Sequence, residues 1–347
     1  GVGGGSHVYS AMNVRPETND YWQKHVGKKC ASELERHYVW MINKMGAKAP
    51  AEAENIPNFI GGQMKDSPHF VADDSVNQPA MSIQRSDDSD VYENDSFFGS
   101  VSGRKVTLDK LLLGPAMDNG LDISPLHECT SIQKTTIGDK TEYRLECYDH
   151  EKKSYHFYKA PKVILAAGTL NTVKLLFKSR QQGGLRGMPA LGLGFAGNGD
   201  FPAYWGVNTL GADYTKGMPC HGRFALRDNK GETQNLTAYG LNGLDDIPLP
   251  SLVKRRLRRD MVLVGMGADR ADGVLTWKNG RLGIRYIQQN NSVFSKLDKT
   301  FSEIEAKSGS SVFRTTSRLI TVHPLGGARL GKDPSESVIN LNGETHD

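Results

Sequence analysis

Residues 162–180 of this chain, KVILAAGTLNTVKLLFKSR, constrain its fold more than any other stretch. Val163 to Ala167 form a continuous apolar run, which predicts a strand buried on both faces of a parallel sheet. Gly168 ends the run, and Thr169 or Asn171 can cap a following helix. In that helix apolar residues recur at helical spacing and basic residues face water. The apolar set is Leu170, Val173, Leu176 and Phe177, and the basic set is Lys174, Lys178 and Arg180.

The turn at Gly168 has two interpretations. In open α/β sheets such a turn lies at the carboxyl end of a strand, where cofactors bind and where the helix N-terminus favours anionic groups. An ordinary strand–helix unit with no ligand explains the same residues, so the pattern alone leaves both open.

Composition excludes several classes of protein. The 347 residues leave room for two domains, and 37% hydrophobic with 24% charged residues are typical of a globular protein. A net charge of +4 is weak for this length and does not indicate nucleic-acid binding. No apolar run approaches the ~18 residues that a transmembrane helix needs. The four cysteines are widely spaced, which favours reduced structural thiols over a metal site or a disulfide framework: Cys30, Cys129, Cys147 and Cys220.

The first half of the chain begins with a glycine-dense loop, residues 1–12. Glycine permits positive φ and a close approach of the backbone to a ligand, while Val2, Val8 and Tyr9 make the loop too apolar for a plain linker. Residues 19–46 have a helical pattern. Residues 50–103 are rich in Pro, Asn, Asp, Ser and Gly, which predicts long surface loops covering a site.

The second half alternates between helices and strands, and the fold class it predicts is α/β, or α+β overall. A helix is expected over residues 108–113 and another over 292–307. Strands are expected over residues 121–123, 130–133, 141–148 and 154–159, and over 263–267, 273–277 and 281–286, the last three as a meander.

Two motifs are set aside. Residues 192–197 match the dinucleotide glycine pattern, but no strand precedes them and Phe201-Pro202 follows where a helix should begin. The basic run at residues 254–259 is best interpreted as a solvated face, against an anion or membrane-surface patch.

His323 is the candidate for chemistry. Proline at 324 holds it out of helical geometry, and Gly326 and Gly327 permit close packing against a ligand. A histidine pKa near ~6.5 suits a proton acceptor at neutral pH, although a single histidine is also often structural. An aromatic cluster lines either an apolar cavity or the core: Phe195, Phe201, Tyr204 and Trp205.

Three stretches, in this order, resemble the glucose-methanol-choline (GMC) family of flavin oxidoreductases, and within it the cholesterol oxidase branch. They are residues 1–12, residues 166–172 (AAGTLNT) and residues 323–327 (HPLGG). Residues 107–110, 127–132 and 192–200 are also similar to that branch. The ordered set is specific, whereas each motif alone is weak.

The resemblance implies an FAD-binding doubly wound domain, incomplete at both ends, and a substrate domain built on a mostly antiparallel sheet covered by helices. The boundaries it implies are a flavin-contacting loop at 1–15, substrate domain at 16–104 and 195–337, FAD-binding domain at 105–194, and a return to the FAD domain at 338–347. The chain begins without an initiator methionine and ends in a polar, turn-like NLNGETHD. We therefore expect an internal fragment of a longer protein.

The function that the resemblance implies is oxidation of a small-molecule alcohol, bulky and sterol-like, with hydride passing to flavin N5 and His323 accepting the hydroxyl proton. Oxygen or another acceptor then takes the electrons. The cofactor contacts carried over by the motifs are Gly4, Gly5, Tyr9, Ser10, Met12, Cys129, Ala166, Ala167, Gly168 and Val322. Two alternatives are a dehydrogenase that uses a quinone or haem acceptor and a non-catalytic, ligand-binding relative.

The sequence also departs from the branch. Tyr9 stands where cholesterol oxidase has an asparagine, and residues 235–241 (NLTAYGL) lack the glutamate of its substrate domain, so we expect no steroid isomerisation. The asparagine that partners the histidine, and the cofactor's glycine fingerprint, would lie beyond the two ends. We expect this chain alone to bind FAD weakly or not at all and to be inactive.

Overall fold

A computed structural model describes residues 1–16, 20–49, 79–84, 97, 99–100, 102–216, 219–227 and 233–347. The surface loops predicted at 50–103 therefore lie largely outside the described residues. Within the described residues six α-helices form: α1 (Asp20–Val26), α2 (Lys28–Lys44), α3 (Gly114–Met117), α4 (Thr169–Gln181), α5 (Ser251–Leu257) and α6 (Ser292–Ser308). A π-helical turn, Asp109–Leu113, leads into α3. No helix in this part of the chain combines the length and apolarity needed to cross a bilayer.

Eleven strands complete the described elements. They are β1 (His127–Ile137), β2 (Lys140–Asp149), β3 (Ser154–Ala160), β4 (Leu193–Phe195), β5 (Phe201–Trp205), β6 (Cys220–Arg227), β7 (Thr233–Tyr239), β8 (Met261–Gly267), β9 (Gly273–Lys278), β10 (Arg281–Arg285) and β11 (Val312–Arg314). Every pairing between them is antiparallel.

The chain forms two compact units. The first contains Gly1–Asp122, Gly199–Ala268 and Asn291–Ile320, and the second contains Ile123–Asn198, Asp269–Asn290 and Thr321–Asp347. The functional domains expected from the sequence stay a prediction.

The first unit is built on a five-stranded sheet in the order β11-β5-β8-β7-β6. Helix α6 covers it with an apolar stripe of buried residues: Val293, Phe294, Leu297, Phe301 and Ile304. Gly265 on β8 allows this close packing, since a Cβ there would lie 2.7 Å from Leu297. The ring of Phe201 packs edge-to-face on that of Phe294 and at a tilt on that of Phe301, with centroids 6.0 and 5.4 Å away.

Three of the four residues of the predicted aromatic cluster belong to cores, the second of the two alternatives that the sequence left open. Phe201 and Trp205 are 1% and 0% exposed in the first unit, and Phe195 is 1% exposed in the second. Tyr204 donates its hydroxyl to the Asp260 carboxylate. Phe195, Phe201 and Trp205 are therefore core side chains, whereas Tyr204 is half-buried.

The second unit contains two three-stranded sheets, ordered β1-β2-β3 and β10-β9-β4. Helix α4 packs on β1, where the amide of Ile132 donates a 2.9 Å hydrogen bond to the buried hydroxyl of Ser179. Of the predicted apolar set, Val173, Leu176 and Phe177 are buried and Leu170 is half-buried. This packing against β1 fixes the position of the N-terminal residues of α4 within the second unit.

The α/β class is confirmed, as are the hairpin strands over residues 127–160 and the helix starting at Ser292. The predicted helix at 19–46 is two helices, α1 and α2, interrupted at Gly27 with φ +86°. Three further expectations are wrong. Residues 121–123 form no strand, and β8 belongs to a different unit from the β9–β10 hairpin, so the meander does not form.

The third wrong expectation is the buried strand at 163–167. These residues make no strand, and Ile164 is 92% exposed. The apolar run has the local preference for a strand, but a strand also needs a hydrogen-bonded neighbour. No described segment pairs with it.

Candidate functional site

The segment around His323 is hydrogen-bonded to β4 and its flanking residues in the same unit. Ala196 and Leu325 exchange backbone hydrogen bonds of 3.0 and 2.9 Å, and the amide of Gly192 donates to the carbonyl of Gly327 at 2.8 Å. Residues 192–197 therefore match the glycine pattern in sequence but do not form the strand–turn–helix that a dinucleotide-binding loop needs. They form an antiparallel edge, and β5 begins at Phe201 with no helix between them.

Two glycines make this contact possible. Gly326 has φ +82°, and a Cβ there would lie 1.8 Å from the carbonyl oxygen of Gly194. Gly327 has φ +77°, and a Cβ there would lie 2.8 Å from both Leu275 and Val173. The glycine pair therefore serves close backbone packing.

The start of α4 is bonded to the same segment. The hydroxyl of Thr169 donates a 2.7 Å hydrogen bond to the carbonyl oxygen of Pro324. The helix has Gly168 as its N-cap, with φ +77° and no side-chain cap, so neither predicted capping side chain acts as one. Thr169 instead brings together the two stretches that the sequence singled out, which lie 155 residues apart.

An open cleft of about 370 Å³ lies at this junction. It is lined by small and apolar residues: Leu165, Ala166, Gly168, Thr169, Thr172, Val173, Gly326 and Ala328. Ala166, Ala167 and Gly168 are exposed, and a Cβ at Gly168 would meet nothing within 4 Å. The cleft therefore presents bare backbone to a ligand.

His323 precedes this junction by one residue and is exposed. Its amide donates to the hydroxyl of Thr321 at 2.9 Å, and that hydroxyl donates in turn to the carbonyl of Gly197 at 3.1 Å. Val322 and Leu325, on either side, are 72% and 49% exposed. The histidine thus lies on a fixed backbone within an exposed apolar surface.

The glycine-dense loop belongs to the other unit, where it is ordered by side chains. Ser6 donates its hydroxyl to the carbonyl of Gly3 at 2.6 Å and accepts the amide of Leu108 at 2.9 Å. Gly4 and Gly5 are exposed, with nothing within 4 Å of an added Cβ. The loop is therefore held by its flanks while its glycines remain accessible.

Lys105 is the residue that sequence reasoning missed. It is 1% exposed, and its Nζ donates to the carbonyls of His7 at 2.6 Å and Tyr9 at 3.3 Å. Tyr9 donates its hydroxyl to the carbonyl of Val106 at 2.8 Å. Ser10 is buried and Met12 half-buried beside this lysine-bound loop. No local pattern identifies Lys105, since its partners lie almost a hundred residues earlier.

Cys129 lies on β1, opposite Cys147 on β2 and next to a bulge. Burial, with Cys147 alongside, raises the pKa of the Cys129 thiol to about 12. The thiol is therefore protonated at neutral pH and unsuited to nucleophilic chemistry. The contact of Cys129 with the cofactor stays a prediction.

The comparisons with known proteins agree with these observations. A family model described as GMC oxidoreductase matches residues 1–183. That match includes the glycine-dense loop, the β1–β3 sheet and the whole of α4. No curated protein matches the chain.

Proposed function

Because the chain belongs to the GMC oxidoreductase family, with FAD as the expected cofactor, we propose that it oxidises a bulky, apolar, sterol-like alcohol in the manner of the cholesterol oxidase branch. In this proposal His323 is the proton acceptor. The observation that carries it is the hydrogen bond from Thr169 to Pro324, which joins the histidine segment to the cleft at Gly168.

The residues at the cleft fit part of the cofactor. Exposed backbone at Ala166 to Gly168, the absence of a Cβ at Gly168 and small neighbouring side chains suit a flat ring or a ribityl chain. A cleft of about 370 Å³ accommodates a portion of FAD rather than all of it. Ala166, Ala167, Gly168, Cys129 and Val322 are the contacts we propose in this unit.

In the first unit we propose that Gly4, Gly5, Tyr9, Ser10 and Met12 contact the cofactor. The exposure of Gly4 and Gly5 supports this assignment, as does the anchoring of the loop by Lys105. Anchored, accessible backbone allows close approach without a large loss of entropy on binding.

Bound FAD supplies the acceptor for the hydride. His323 then has two tasks, which are to orient the substrate hydroxyl by a hydrogen bond and to accept its proton. A general base in this position contributes ~10² to 10⁴ in rate. The rigid backbone from Thr321 to Leu325 serves both tasks, because an ordered base reaches the hydroxyl without searching.

The apolar character of the substrate rests on two observations. One is the resemblance in motif order to cholesterol oxidase. The other is the exposure of Val322 and Leu325 beside His323. Covering exposed apolar side chains with an apolar ligand removes them from water, which favours binding. The buried rings of Phe195, Phe201 and Trp205 give no support.

The test is anaerobic reduction of the flavin by a sterol or another bulky alcohol in the complete gene product. His323→Asn should slow flavin bleaching by ~10² to 10⁴ while flavin affinity remains unchanged. His150→Gln, at an exposed histidine paired with Glu128, serves as the control. Unchanged bleaching in His323→Asn would refute the base. Peroxide formed during turnover in air would identify oxygen as the acceptor, and its absence would favour a quinone or haem acceptor.

A further inference from the structure

The geometry points to a divalent transition-metal site, of the kind Zn²⁺ occupies, formed by His127, Asp149 and His156 on the β1–β3 sheet. The site is independent of the alcohol chemistry proposed above. Their ligand atoms all lie within 4.8 Å of one another.

The sheet register produces the cluster. His127 at the start of β1 lies opposite Asp149 at the end of β2, and Ser154 at the start of β3 lies opposite Asp149 on the other side. His156 is two residues further along β3, so its side chain is on the same face of the sheet. Three strands thus contribute to one corner.

Three possible ligand atoms, one from each residue, converge there. Nδ1 of His127 lies 2.8 Å from the carbonyl oxygen of Pro125, a contact that needs the proton on Nδ1 and leaves the lone pair of a neutral ring on Nε2. That Nε2 lies 3.6 Å from Oδ2 of Asp149, and Nε2 of His156 lies 3.7 Å from the same oxygen. Nε2 of His156 also lies 3.1 Å from the hydroxyl of Ser154, which a metal ion would replace as its partner. The lone pairs of His127 Nε2 and Asp149 Oδ2 face one another, and they repel unless a cation or a proton lies between them.

Asp149 is prepared for a cation. Its side chain is 2% exposed. Oδ1 accepts the amides of Glu151 at 2.9 Å and Lys152 at 3.0 Å, which leaves Oδ2 directed to the histidines. A buried carboxylate is costly without a compensating positive charge.

The distances suit zinc after a small adjustment. Two ligands at ~2.1 Å from one ion at a tetrahedral angle are ~3.4 Å apart, close to the two distances to Oδ2. The His156 side chain is 39% exposed, so its ring can rotate toward His127 without disturbing the core. The bond from His127 to Pro125 has the geometry by which proteins orient metal-binding imidazoles. The partial exposure of both rings leaves room for water at the remaining coordination positions.

Titration of the tag-free, chelator-treated protein with ZnCl₂ by calorimetry tests the site. We expect one saturable site per chain and a rise in the melting temperature with Zn²⁺. His127→Gln and His156→Gln should each weaken binding at least ~10-fold. Asp149→Asn should do the same while keeping Oδ1 as the acceptor of the two amides. His150→Gln, at the same end of the sheet but outside the cluster, should bind as wild type does.

Circular dichroism checks that each variant folds. If Asp149→Asn does not fold, the two histidine variants alone test the site. Absence of stoichiometric binding in the wild-type protein would overturn the proposal. Wild-type affinity in the His127→Gln/His156→Gln double variant would overturn it as well, as would equal weakening by His150→Gln.

Discussion

The hydroxyl of Thr169 donates a 2.7 Å hydrogen bond to the carbonyl oxygen of Pro324. This bond joins the first residue of a helix to the residue after the proposed base. The histidine is therefore positioned by the same helix whose N-terminal turn lines the cleft.

Removal of this hydroxyl should impair catalysis more than stability. Thr169→Val keeps the side-chain shape but leaves the Pro324 carbonyl to water, at a cost of about 1 kcal/mol in unfolding free energy. Because His323 is then less well oriented, we expect flavin reduction by alcohol to slow by about tenfold or more. Stopped-flow bleaching and urea unfolding measure the two effects. Thr136→Val, at an exposed strand position, is the matched control, and equal loss in both variants would contradict the positioning role.

Gly326 should tolerate no side chain. Gly326→Ala places a Cβ 1.8 Å from the Gly194 carbonyl and also adopts φ +82°, so the segment must move away from β4. We expect a loss of ~2 kcal/mol or more in unfolding free energy and loss of flavin reduction. The control is Gly280→Ala, which has a similar φ of +72° but open space around the Cβ. If the two variants are equally stable, close packing at Gly326 is not what requires glycine.

Lys105 should determine the conformation of the glycine-dense loop, and with it the affinity for FAD. Lys105→Met fills a similar volume but leaves the carbonyls of His7 and Tyr9 without their buried donor, which should cost ~2 to 4 kcal/mol. Flavin affinity of the complete gene product should fall, since we propose that the loop contacts the cofactor. Fluorescence titration with FAD measures the affinity, and Lys110→Met is the surface control. Unchanged affinity in a folded Lys105→Met protein would separate the loop from cofactor binding.

His221 should make the first unit acid-labile. Burial lowers the pKa of its imidazole to about 4, although its Nε2–H donates to the Tyr214 carbonyl at 2.9 Å. The unfolded chain takes up this proton near pH ~6.5 while the folded chain does not, so stability falls as the pH decreases from about 6.5 to about 4.

The full effect is ~3 kcal/mol, from about 2.5 pKa units at ~1.36 kcal/mol each. His221→Gln keeps a donor for Tyr214 and should lose less stability over this interval in urea unfolding series. His150→Gln should retain the wild-type pH dependence. If His221→Gln shows the wild-type pH dependence of stability, a group other than His221 causes the loss of stability at low pH.

Local pattern was sufficient for some of the fold. The buried face of α4, with Val173, Leu176 and Phe177, follows from 3.6-residue periodicity, and the β1–β3 strands follow from alternation between turns. The order of the motifs along the chain was enough to indicate the family. These features depend on residues close together in the chain, or on their order.

Other features were decided by tertiary contacts. The apolar run at 163–167 has the composition of a strand but pairs with no described segment. The sequence of a single strand does not show which other segment will hydrogen-bond to it. Phe201 was compatible with a cavity or a core, and only the rings of Phe294 and Phe301 distinguish the two.

The sequence by itself determined the helix after Gly168, the alternating strands and the family. Only the tertiary structure decided that Thr169 binds Pro324, that Lys105 holds the glycine-dense loop, and that His127, Asp149 and His156 meet. The physical reason is that periodicity and turn chemistry act over a few residues. Hydrogen bonds and charges act between whichever groups the fold brings within about 3 to 4 Å.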